Sequence, residues 1–140
     1  MARDQKLELL GKVPLFAGLS KRELQRIGEL ADEVDLPSGR VLMRQGESGS
    51  EMLIVIDGSA RIERDGEVIA ERGGGEVLGE IALLDGGPRT ATVTLTRDSR
   101  LLVLGRREFQ AAMDELPDVR LRVLEAVAHR LRTLDASSVH

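Results

Sequence analysis

The chain has 140 residues, 41% hydrophobic and 31% charged, with a formal net charge of −4; this fits one soluble globular domain over 1–140 rather than a disordered chain. The lack of cysteine excludes disulfides and thiol chemistry and fits a reducing compartment. Without a basic block or a bilayer-length apolar run, no nucleic-acid or membrane partner is expected, and the expected location is cytoplasmic.

The N-terminal part, 1–36, reads as helical. Leu7 and Leu10 share one side of a helix over 4–12, and Pro14 breaks it. Ser20 and Glu23 match a capping box, in which each side chain satisfies the other residue's orphan amide. Leu24, Ile27, Leu30, Ala31 and Val34 then follow at helical spacing. Pro37, Ser38 and Gly39 make a turn.

From 37 to 105 the pattern changes to short strands between glycines. Strands are predicted over 52–56, 59–64, 67–71, 92–96 and 101–104. The pairs Asp57-Gly58 and Asp65-Gly66 are read as hairpin-type turns. Aromatic residues make up only 1% of the chain, so Leu, Val and Ile must build the core. Many short strands with regular turns imply an α+β protein built on an antiparallel jelly-roll barrel, with helices at both ends. Helix returns over 106–136, in two pieces (107–115 and 118–135) divided by Pro117. On the second piece Leu124, Val127, Leu131 and Leu134 form one apolar stripe. Packing on the protein's own barrel, a movable lid or a two-heptad seam with a second copy would each use it. The first two are favoured, because two heptads are marginal for a stable coiled coil.

The most informative segment is 77–93, which interrupts the β region. Gly79 precedes a stretch, 80–84, that can form one helical turn. The first amides of such a turn have no intrahelical partner and can donate to an anion. Leu83 and Leu84 can anchor it. Arg89 offers a planar, permanently charged fork for a phosphate. Glu80 suits a sugar hydroxyl, which donates to a carboxylate, and it can also orient Arg89. These are the parts needed to hold a small, singly charged, sugar-bearing phosphate. The opposing reading is a surface Glu–Arg pair with glycines that merely turn the chain.

The segment resembles the phosphate-binding cassette of cyclic nucleotide-binding domains. The residues 44–58, and Val13, Pro14, Leu15 and Phe16 with Leu19 and Ser20, resemble other parts of that family, so the likeness covers about 10–135. It implies that Glu80 holds the ribose 2′-hydroxyl and that Arg89 binds the exocyclic phosphate oxygens. Gly79, Ile81, Ala82, Thr90 and Ala91 would complete the site, with backbone amides around Ala82 assisting. The family's aromatic residue before the glycine is Leu78 here, and the last helix has no aromatic to cap the base. His129 and Arg130 on that helix are the candidate lid, although a solvated helix face is the ordinary role for both. His140 is terminal.

The resemblance implies a cyclic nucleotide receptor that binds cyclic AMP, with cyclic GMP possible because of the Thr90 hydroxyl, and that signals by moving its C-terminal helix. It also implies a separate protein partner or a missing effector domain, and a monomer or weak homodimer through the last helix. The alternative is a degenerate fold that acts by protein contact without ligand. A metal-dependent jelly-roll enzyme would need several histidines on facing strands. The chain has two, both in or after the last helix. No cofactor, metal or catalytic residue is therefore expected.

Overall fold

The structure, a computed structural model, describes residues 2–137. These form two compact units, 2–29 with 110–137 and 30–109.

The helical unit begins with α1 (Arg3–Gly11) and a single 3-10 turn (Pro14–Phe16). Next comes α2 (Lys21–Leu30). The capping box forms: Ser20 N–H donates to Glu23 Oε1 at 2.8 Å, and Glu23 N–H donates to Ser20 Oγ at 3.2 Å. Two further helices follow the β region, α4 (Arg106–Glu115) and α5 (Pro117–Ser137). Proline at the first position of α5 loses no hydrogen bond, because that amide is an orphan in any helix. Val119 and Val123 are buried, and Leu15 and Phe16 are buried where the 3-10 turn meets α5. The predicted stripe on α5 behaves otherwise. Leu124, Leu131 and Leu134 are about 60% exposed, like Leu121 beside them, and only Val127 is half-buried. Packing of that stripe on the protein's own core is therefore not what the structure contains.

The β unit holds two four-stranded antiparallel sheets, ordered β1-β8-β3-β6 and β2-β7-β4-β5. Its strands are β1 (Asp32–Leu36), β2 (Val41–Met43), β3 (Glu51–Asp57), β4 (Ala60–Arg64), β5 (Glu67–Arg72), β6 (Val77–Leu78), β7 (Thr92–Leu95) and β8 (Ser99–Gly105). A short helix, α3 (Ala82–Asp85), lies between β6 and β7. The α+β jelly-roll class thus holds. Leu53 and Val55 from β3, Val93 and Leu95 from β7, Leu101 from β8 and Met43 from β2 form one buried cluster. Met52, Ile54, Leu102 and Leu104 alternate with them and are also buried, so β3 and β8 are apolar on both faces.

Four features differ from the sequence reading. Val34 is in β1 and not in the preceding helix: 32–36 pairs residue by residue with β8, and Val34 and Leu36 pack on the core cluster. An apolar residue at a helical interval was there also the start of a period-2 strand pattern. Asp57-Gly58 does not close a hairpin, because β3 and β4 belong to different sheets. Gly58 is needed there for a close approach, since a Cβ would overlap the Ser99 side chain. The short strands β2 and β6 were not anticipated. By contrast, Asp65-Gly66 does close the β4–β5 hairpin, with φ of 54° and 81° as a type I′ turn requires. Gln45 clamps that turn by donating from Nε2 to Asp65 Oδ1 and accepting from Asp65 N–H.

Candidate functional site

The site is built where the residues after β2 meet the segment between α3 and β7. Gly46 N–H donates to Arg89 O at 2.9 Å, and Arg89 N–H donates to Glu47 O at 2.8 Å. Gly49 N–H donates to Gly87 O at 2.9 Å. These bonds hold the Arg89 backbone against the 46–49 turn. Asp85 Oδ1 accepts from Gly87 N–H, and Gly86, at φ 62°, ends α3 in the left-handed conformation.

The Arg89 side chain runs between two glycines. A Cβ on Gly49 would overlap its Cζ and Nε, and a Cβ on Gly79 would overlap its Nη1. Gly79 also has φ 74°, a conformation that favours glycine. Arg89 Nη2 donates to the Glu51 carbonyl at 2.8 Å, while Nη1 is buried with no hydrogen-bond partner. Burial lowers the pKa of the guanidinium, and the nearby Glu51 charge partly opposes that shift. An arginine still stays protonated. A buried cationic donor left unsatisfied is costly, so it needs a purpose. Arg89 also lines a cleft of about 180 Å³, together with Val41–Met43, Arg44 and the 47–51 turn.

The other predicted residues surround this arginine in sequence and fold. Glu80 is half-buried, Ala82 and Ala91 are buried, and Ile81 and Thr90 are exposed. Thr90 O accepts from Arg64 Nε at 3.1 Å. The short helix starts later than predicted, at Ala82. The Ala82 amide already donates to Gly79 O at 3.2 Å. That amide, which the resemblance assigns to the ligand, is therefore occupied in this state. His129 and Arg130 lie in the helical unit, exposed on α5, beside a groove of about 640 Å³ shared with Pro14, Leu15, Ala17 and Gly18. His140 falls outside the described residues. No group of three or more His, Cys, Asp or Glu side chains suited to a metal ion occurs among the described residues. No helix there is long and apolar enough to cross a membrane.

Several participants carried no sequence signal of their own. Gly49 and Glu51 fell within the 44–58 resemblance but were not singled out as site residues; Glu51 contributes its carbonyl and a nearby charge. Arg64 and Arg106 were not singled out in the sequence.

Residues 33–115 match the family model described as the cyclic nucleotide-binding domain. The chain belongs to that family. It is 32% identical over 127 residues to the cyclic AMP receptor protein of Thermus thermophilus, a match covering 87% of this chain and 59% of that protein. The N-terminal domain of a transcriptional regulator from Streptomyces coelicolor superposes with a TM-score of 0.84 at 34% identity, covering 92% of this chain and 93% of that one. The regulatory domain of Toxoplasma gondii PKA, solved with cAMP, gives 0.71 at 32% identity, covering 79% of this chain and 44% of that one. The chain spans 38% to 59% of the length of the first curated relatives it matches. Its relatives thus include transcriptional regulators and the regulatory domain of a kinase.

Proposed function

We propose that this chain is a cyclic nucleotide sensor whose ligand is cyclic AMP. The observation that carries the reading is Arg89: a half-buried guanidinium, braced by the Glu51 carbonyl, with a buried Nη1 that lacks a partner, on a residue that lines a cleft. A singly charged cyclic phosphodiester supplies the acceptors that Nη1 lacks. Glu80 accepts from the ribose 2′-hydroxyl, and Gly79, Ile81, Ala82 and Ala91 shape the phosphate pocket. The Ala82 amide must leave Gly79 O to donate to phosphate, so binding rearranges the cassette. Thr90, exposed beside Arg89, leaves cyclic GMP as a second ligand. His129 and Arg130 are the lid candidates. Signalling runs through the C-terminal helix as a population shift, sized by the ligand's difference in affinity for the two states. The role is binding and not hydrolysis, and the output passes to a protein partner or a further domain. The whole of 1–140 serves as one receptor domain working in the cytoplasm.

Calorimetric titration of nucleotide-free protein with cyclic AMP and cyclic GMP tests this, with Arg89→Ala alongside. Saturable binding is expected, weakened by about 2–5 kcal/mol in the variant, the cost of losing one side of a desolvated charge pair. A folded, ligand-free sample that binds neither nucleotide would leave the degenerate protein-contact module as the better reading.

A further inference from the structure

Arg106 opens α4, and its placement is unfavourable on the face of it. A cation at the first position of a helix opposes the helix dipole and gains nothing from the local amides. The side chain instead reaches α3. Its Nη2 donates to Leu84 O at 3.2 Å, at the carbonyl end of that short helix, where a cation is favoured. Its stem lies beneath Gly86, where a Cβ would sit 3.6 Å from Arg106 Cδ. Its Nε is buried with no hydrogen-bond partner. Its backbone N–H donates to Ser50 O at 2.7 Å.

The neighbours of these acceptors belong to the phosphate site. Ser50 O holds the first amide of α4, and the next carbonyl, Glu51 O, holds Arg89 Nη2 at 2.8 Å. The preceding residue, Gly49, donates to Gly87 in the cassette. Three consecutive residues therefore join the cassette, the phosphate-facing arginine and the start of α4. Arg106 closes the loop from the opposite side through Leu84.

We infer that Arg106 is a positioning residue that couples nucleotide occupancy of the cassette to the start of α4, an assignment that rests on the receptor reading above. Movement of α3 shifts Leu84 O, and movement of the Arg89 guanidinium shifts Glu51 O. Both displacements reach Arg106, one through its side chain and one through its amide. Contiguity alone does not establish coupling, so the test must measure coupling itself.

The experiment is hydrogen exchange of amides 107–115, with and without saturating cyclic AMP, in wild type, Arg106→Met and Arg106→Lys. Methionine keeps the apolar stem and removes every donor; lysine restores one donor for Leu84 O. In wild type the nucleotide should slow exchange of these amides by on the order of tenfold, within the usual range of coupling between sites. In Arg106→Met the cassette should still bind nucleotide while the slowing falls toward one, and lysine should recover part of it. A purely structural role would raise exchange equally in both states and leave the ratio at its wild-type value, which would overturn the assignment. If Arg106→Met does not fold, Arg106→Leu, which also removes every donor, carries the test, and a wild-type ratio in that variant overturns the assignment. Failure of wild type to bind cyclic AMP would appear in the wild-type titration, before any variant is compared. That result would remove the receptor reading and the coupling together.

Discussion

Arg89 lies between two glycines that differ in what a methyl group would do. At Gly79 a side chain meets both a positive φ and the Arg89 and Met43 side chains. Gly79→Ala should cost about 1–2 kcal/mol of stability from backbone strain alone, and it should also weaken nucleotide binding. Gly49 has no positive φ, and the nearest atoms its added Cβ would meet belong to the Arg89 side chain. Gly49→Ala should leave stability within about 0.5 kcal/mol of wild type and yet lower affinity severalfold by tilting the guanidinium. Urea unfolding and nucleotide titration on the same samples separate the two effects. Equal loss of stability in both variants, with affinity untouched, would mean that the Arg89 pose does not matter. At this scale the sequence was informative where residue type alone implied chemistry. Glu80, Arg89 and Thr90 stood out because a carboxylate, a guanidinium and a hydroxyl follow a glycine at short intervals. Gly49, Glu51 and Arg106 did not, because two of them act through backbone atoms or the lack of a side chain. The third has its role assigned by a partner 22 residues away.

The elements whose local chemistry and tertiary surroundings agree were readable. The Ser20–Glu23 box and the Asp65-Gly66 turn satisfy their own backbone groups within a few residues, so nothing distant could override them. Strand β1 was hidden for the opposite reason. Val34 fits a helical stripe, and only pairing with β8 decides the matter. That pairing is reinforced by Arg100, whose Nε lies 2.9 Å from Asp35 Oδ1 and 3.7 Å from Glu33 Oε1. The hydrogen bond from Arg100 holds the Asp35 carboxyl below its ordinary value, against a smaller opposing desolvation, while Asp35 in turn raises Arg100. A depressed folded-state pKa means the ionised form favours the fold. The contribution is therefore complete above the unfolded value, about 4, and fades as pH falls through the folded one. The pair is exposed, so its effect on stability should be small and weakened by salt. An NMR titration of the Asp35 carboxyl should show it below the usual aspartate range in wild type and within that range in Arg100→Met. An unchanged Asp35 titration in the variant would refute this account of the β1–β8 edge.

For the whole molecule, the sequence conveyed the class of fold but not the exposure of its last helix. An apolar stripe records that something covers it, and it does not record whether that cover belongs to the same chain. The structure leaves Leu124, Leu131 and Leu134 exposed, with Leu121 alongside. Leucines at 124 and 131 are seven residues apart, as are Val127 and Leu134, which is the spacing of a two-stranded seam. Single exposed leucines are common, but four along one helix are less easily left to water. Short helices make weak coiled coils, so self-association should be reversible and concentration-dependent. Sedimentation velocity across a concentration series should show wild type moving from monomer toward dimer as concentration rises. Leu124→Glu combined with Leu131→Glu should remain monomeric at every concentration, since opposing two copies would place like charges across the seam. Thermal stability at low concentration should change little in that variant, because both side chains already face solvent. A wild type that stays monomeric throughout would exclude the seam between copies. A partner protein or a further part of a longer chain would then be the cover to look for, and either would connect α5 to the output of the nucleotide site.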